Sequence, residues 1–159
     1  MRNHLVNPIQ LKSNQVQCCD VATVNKLMVW SSTNKQAANQ AFNASNGDVF
    51  RWKHVWPEIA KVFGLEVGEV QQIKLAKMMQ DKQPLWQQIC HKYGLKQTSL
   101  DKLVDFSFAD MHFAMNYDYL VDVTKARQLG FDAMNQRTQD MFVRQLRDLQ
   151  NMKIIPKYQ

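Results

Sequence analysis

Apolar residues recur at helical spacing along most of this chain. Trp52, Trp56, Ile59, Ala60 and Phe63 fall at i, i+4, i+7, i+8 and i+11, which is one continuous stripe along a helix. Pro57 lies inside the stripe, removes one backbone donor and predicts a kink or a restart after Trp56. Gly64 is its natural stop. Upstream, Val21, Val24, Leu27 and Met28 predict a helix between Cys19 and Ser32, with Trp30 near its end. Val70 to Asp81 reads as helical. Pro84 opens another helix, in which Trp86, Ile89, Cys90 and Tyr93 share a face before Gly94 ends it.

Ser99 offers a cap for a helix spanning Leu100 to Asn116. That helix carries two apolar faces: Val104, Phe108, Met111 and Met115 on one, Leu103, Phe106 and Phe113 on the other. A helix apolar on both sides lies between two layers or lines a pocket on one side. A short helix from Thr124 to Leu129, stopped by Gly130, and a last one from about Gln136 to Asn151 complete the set. In the last helix Phe142, Leu146 and Leu149 form the inward stripe.

Two segments depart from the helical period. Ala41 to Ser45 reads as a short strand running into the Asn46-Gly47 turn, where both residues tolerate positive φ. Asp48 then stands ready to cap the helix that follows. Tyr119 to Val123 is the second strand candidate, rich in β-formers. Their long helical connection predicts that the two pair in parallel. The expected fold class is therefore α/β, mainly helical, with a small parallel two-stranded sheet. Trp56, Ile59, Phe63, Trp86, Ile89, Phe106, Phe142 and Leu146 are the expected core.

Composition narrows the functional classes. At 159 residues and 45% hydrophobic content the chain can bury one core. Its net charge of +6 is spread along the sequence without a basic run, so solvated helix faces explain it better than nucleic acid. Cys18 and Cys19 are adjacent and Cys90 stands alone, a pattern of neither a zinc site nor a disulfide framework. Free thiols fit a reducing cytoplasm. The first residues lack the basic and apolar regions of a signal peptide, and no apolar run is long enough for a bilayer. The sequence predicts a cytoplasmic protein with no nucleic-acid or membrane partner.

Catalytic motifs are scarce. Gly47, Gly64, Gly68, Gly94 and Gly130 never give the Gly-x-Gly-x-x-Gly loop that lets backbone N–H groups approach a pyrophosphate. The pair of a Tyr and a Lys four residues on is missing, because Gln97, Val121 and Val123 follow Tyr93, Tyr117 and Tyr119 at that spacing. His4, His54, His91 and His112 have no partners spaced as zinc ligands. His112 lies near Asp110, which invites an acid–base reading, but the two do not share a helix face. No Gly-x-Ser-x-Gly elbow occurs.

Four blocks nevertheless resemble one family. They are Gln17 to Trp30, the Phe42-Asn43 to Gly64 run through Asn-Gly-Asp-Val-Phe-Arg-Trp-Lys-His, Pro84-Leu85-Trp86 through Phe108-Ala109-Asp110, and Asp122 to Phe131. Together they resemble the C-terminal substrate domain of progesterone 5β-reductase and iridoid synthase-like short-chain dehydrogenases. The resemblance implies a substrate-binding domain over residues 18–159, with residues 1–17 a poorly ordered arm or remnant linker. It implies the C-terminal part of an NAD(P)H-dependent oxidoreductase, either a reductase of enones or small carbonyl compounds that uses NADPH or an NAD-dependent epimerase/dehydratase-like protein. It places the catalytic Tyr, Lys and dinucleotide site in an N-terminal half whose motifs this sequence lacks. No catalytic, cofactor or metal residue is therefore expected in this chain. What it does carry over is a pocket wall, Phe108 and Met111, as substrate-binding residues. The expected partners are the missing cofactor domain, or a second copy through an exposed apolar face, and a small apolar carbonyl substrate. A stand-alone helical interaction module derived from that fold remains the alternative.

Overall fold

A computed structural model describes residues 4–7, 14–71 and 73–157. In chain order the elements are β1 (His4–Asn7), α1 (Val21–Thr33), a single 3-10 turn (Lys35–Ala37), α2 (Trp52–Val62) and β2 (Glu66–Val70). Then follow α3 (Leu75–Met79), α4 (Gln83–Tyr93), α5 (Leu100–Leu103), α6 (Phe106–Ala114), α7 (Thr124–Gln128) and α8 (Thr138–Asn151). The protein is mainly helical α/β with one two-stranded parallel sheet among the described residues. No helix of the described residues is long and apolar enough to cross a membrane.

The chain divides into two compact units. The first comprises Met1–Lys12, Trp52–Asn116 and Val143–Gln159. It holds the sheet, in which β1 and β2 run parallel with His4 opposite Glu66 and Leu5 opposite Val67. The strands sit elsewhere than the sequence predicts. Val70 belongs to β2 and not to a helix, and of the helix expected from Val70 to Asp81 only Leu75–Met79 forms. The single helix expected from Leu100 to Asn116 is broken as well. Val104 is extended, at φ −142° and ψ 128°, and the Asp105 carboxylate accepts the Phe108 N–H at 3.0 Å to start α6 afresh. An aspartate competes for backbone donors better as a cap than as an interior residue, so it splits the helix where the apolar period runs on. Helix α4 follows its sequence signals. Pro84 lies in its first turn, and Gly94 at φ 59° donates its N–H back to the last carbonyls.

The second unit, Ser13–Arg51 and Tyr117–Phe142, is organised by extended chain. Ala41–Ser45 and Tyr119–Val123 do not pair with each other as strands. Val16 lies between their neighbours instead, exchanging two 2.9 Å backbone bonds with Phe50, while Tyr119 donates to the Gln15 carbonyl and accepts from Gln17 N–H. Ala41–Ser45 runs extended beside α1, and the chain after it is tied by Asn46 N–H to the Cys18 carbonyl at 2.8 Å. Asn43 reaches the other segment through its side-chain amide, which donates to the Asp122 carbonyl at 2.9 Å. The arm expected over 1–17 falls partly outside the described residues. Within it, His4–Asn7 form β1 and Gln15–Gln17 make the bonds just given.

The core of this unit is a cluster of Leu27, Val123, Ala126, Phe131 and Met134. Trp30 closes it, its ring 5.4 Å from Phe42 and 5.3 Å from Phe131. In the first unit the fully buried positions are small or medium-sized: Val55, Ala60 and Cys90, together with Leu95. The residues expected as core, Trp56, Ile59, Phe63, Trp86, Ile89, Phe106, Phe142 and Leu146, are each half-buried. Large rings bury most of their area yet rarely all of it, and the narrow gaps between short helices take the small side chains.

Asn46 is the polar centre of the second unit and is wholly buried. Its side-chain oxygen accepts the Asp20 N–H at 2.7 Å, and its amide donates to the Thr138 hydroxyl at 3.1 Å. Asp48 does not cap the helix that follows it in sequence. Its carboxylate accepts both the N–H (2.8 Å) and the hydroxyl (2.7 Å) of Thr138, so it caps α8 instead. Asp20 caps α1 through the Ala22 N–H. Polar groups this deep must be paired, and the bonds of Asn46 and Asp48 join segments far apart in sequence.

Candidate functional site

Helix α6 carries the site residues read from the sequence, and its two faces have different fates. On the inner face, the Phe113 ring meets Trp52 edge-on at 5.3 Å and Trp56 at 6.1 Å. Asp110 also points inward. Its two carboxylate oxygens accept the Leu75 and Ala76 N–H groups at 2.7 and 3.0 Å, closing the open start of α3. The acid–base suspicion over Asp110 and His112 is thereby resolved. Asp110 binds α3, while the His112 ring lies 4.3 Å from the ring of Phe108.

On the outer face Phe108 and Met111 are 57% and 54% exposed. Leu103, Phe106 and Phe113 are half-buried, as the two-stripe pattern requires. The structure therefore places Phe108 and Met111 together on the open side of the helix that packs against α3. The unit leaves about half of each apolar side chain uncovered, which is costly unless something binds there.

A cavity of about 620 Å³ opens beside the start of α6. It is lined from α3, α4 and α5 by Ala76, Met79, Gln83, Leu100 and Asp101 and from α6 by Phe106 and Ser107, with Gln80, Ser99, Val104 and Asp105 between. Neither Phe108 nor Met111 lines it. Sequence reading missed this cavity because it exists only once α3 is held against α6. The signal that could have located it was Asp110, a helix-borne carboxylate with no partner on its own helix.

A dinucleotide does not fit the residues present. Phosphates bind at helix N-termini, where N–H groups and the helix dipole converge. Gly64, Gly94 and Gly130 have positive φ, but they stand just past the C-terminal ends of α2, α4 and α7, the negative pole. Gly47 packs against the Met134 backbone, and Gly68 lies within β2. Thiol chemistry is also poorly served. Burial pushes the Cys18 thiol above its usual range, as it does that of Cys19. Among the described residues no group of three His, Cys, Asp or Glu could hold a metal ion.

Residues 8–156 match the family model of the PRISE-like Rossmann-fold domain. The chain is 34% identical over 142 residues to an (S)-8-oxocitronellyl enol synthase of Nepeta cataria, an alignment covering 87% of this chain and 36% of that protein. It is 38% identical over 116 residues to the enzyme of the same name from Catharanthus roseus, covering 70% of this chain and 30% of the relative. With that of Antirrhinum majus it shares 36% over 132 residues, 80% of this chain and 33% of the relative. The chain thus spans about a third of the length of the curated relatives it matches.

Proposed function

This chain belongs to the PRISE-like Rossmann-fold family, and from that premise we propose that it supplies the substrate side of an NAD(P)H-dependent oxidoreductase acting on an activated enone or small carbonyl compound. The observation that carries the reading is the outer face of α6, where Phe108 and Met111 stand uncovered. Such a wall binds the hydrocarbon of an enone and excludes water from it. Bound NADPH would supply the hydride. Among the described residues none cradles its phosphates, so on this reading its site and the proton donor belong to the cofactor half that the family resemblance implies. On this reading residues 18–159 form the substrate-binding domain and the chain is inactive alone.

The test is to fuse the cofactor half of a relative ahead of this chain. Phe108→Ala in the fusion should lower kcat/KM for a bulky enone by about tenfold or more, while the Kd for NADPH stays within about twofold. Equal loss on both would make Phe108 a structural residue. The second reading, an interaction module that binds another protein or its own copy, is favoured by the outward face of α1. There Val21, Met28 and Val29 are each more than 60% exposed. A fusion that binds NADPH yet reduces no enone would favour the module.

A further inference from the structure

The cavity beside the start of α6 is not part of the outer wall, and its lining has a chemistry of its own. Apolar surface comes from Ala76, Met79, Leu100, Val104 and Phe106. Hydrogen-bonding groups come from Gln80, Gln83, Ser99 and Ser107, and negative charge from Asp101 and Asp105. Among the described residues no lysine, arginine or histidine lines it, in a chain whose net charge is +6. Lys77 and Lys102 share α3 and α5 with lining residues without lining the cavity themselves, although the charge of Lys102 acts on the neighbouring Asp101. Lys82, next to Gln83, is held by the Asp81 carboxylate at 2.7 Å.

We propose that this cavity is a second ligand site, selective for a small primary ammonium compound with an apolar tail. The tail lies along Met79, Leu100, Val104 and Phe106, and the ammonium is drawn to the carboxylates of Asp101 and Asp105. At about 620 Å³ the space is of the size that holds small-molecule ligands. Its polar walls are already ordered. Gln83 accepts the Leu100 N–H at 2.8 Å, and Asp105 spends one oxygen on the Phe108 N–H. The Ser99 hydroxyl, hydrogen-bonded to the exposed Asp101, holds that carboxyl below its ordinary range. A preordered wall with one sign of charge discriminates by head group more than by tail.

Hexylamine, hexanoate and hexanol share one tail and differ in the head, so they separate charge selection from simple apolar burial. The three are titrated into the whole chain while the backbone amides of Ala76, Leu100, Val104 and Ser107 are followed by NMR. Hexylamine should saturate these shifts, with a Kd at least about fivefold below that of hexanol, and hexanoate should not saturate them. Asp101→Asn, at an exposed position, should remove most of the preference for hexylamine over hexanol, and Ser107→Trp should abolish the shifts by filling the space. The proposal is overturned if hexylamine fails to saturate the wild-type shifts, if the three heads bind alike, or if Asp101→Asn keeps the full preference.

Discussion

Replacing Gly47 by alanine is expected to destabilise the protein by about 3 kcal/mol or more, more than the same change at Gly94 or Gly130. The residue sits at φ +96°, and a Cβ there would lie 1.9 Å from the Met134 carbonyl oxygen and 2.9 Å from an Arg127 guanidinium nitrogen. That oxygen cannot step aside freely, because it accepts a 3.0 Å hydrogen bond from Arg127. Backbone strain and steric exclusion therefore act together. Gly130 separates the two: at φ +91° it has nothing within 4 Å of a built Cβ. Gly130→Ala should show the strain alone, about 1–2 kcal/mol. Urea denaturation of both variants beside the wild type checks this. Equal losses would mean that the approach to Met134 is not tight.

Phe131→Ala should cost about 3–5 kcal/mol, the usual result of emptying a packed aromatic site. Phe131 is 3% exposed, central to the cluster of Leu27, Val123, Ala126 and Met134, and its ring packs tilted against that of Trp30. The same substitution at Phe108, which is 57% exposed, should change stability by no more than about 0.5 kcal/mol. Comparing the two by thermal and urea denaturation tests where the core lies. If Phe108→Ala were the more damaging, the outer face of α6 would not be open and its role as a substrate wall would fall.

What the sequence revealed and what it hid follow from how local each signal is. Helix α4 was legible because Pro84 and Gly94 act on their own backbone. Helix α1 was legible from the helical spacing of Val21, Val24, Leu27 and Met28, but which face it buries was not: Thr23 and Leu27 are buried, whereas Val21 and Met28 face outward. The two faces of α6 were legible from their spacing. The strands were not. Glu66-Val-Gly-Glu-Val70 contains a glycine and two glutamates, a poor strand by composition, and it becomes one because β1 pairs with it. Tyr119 to Val123 has the better composition, yet its backbone partner is Gln15–Gln17, which no local pattern announces. Asp48 looked like a cap for the next helix and caps α8 instead, since nothing in its own neighbourhood names Thr138. Asn46-Gly47 read as a turn, which concealed an asparagine buried as the hub of its unit. Phe108 and Met111 were found through resemblance and lie together on an open face, whereas the nearby cavity needed four helices in place before it existed.

The central claim is that this chain brings a substrate wall and no dinucleotide site. It is tested most directly by titrating NADPH into the folded, isolated chain and following the heat of binding. The account predicts no saturable binding, because the positive-φ glycines past α2, α4 and α7 stand at the helix poles that repel phosphate. Saturable binding with a Kd in the micromolar range, about −8 kcal/mol, would contradict it.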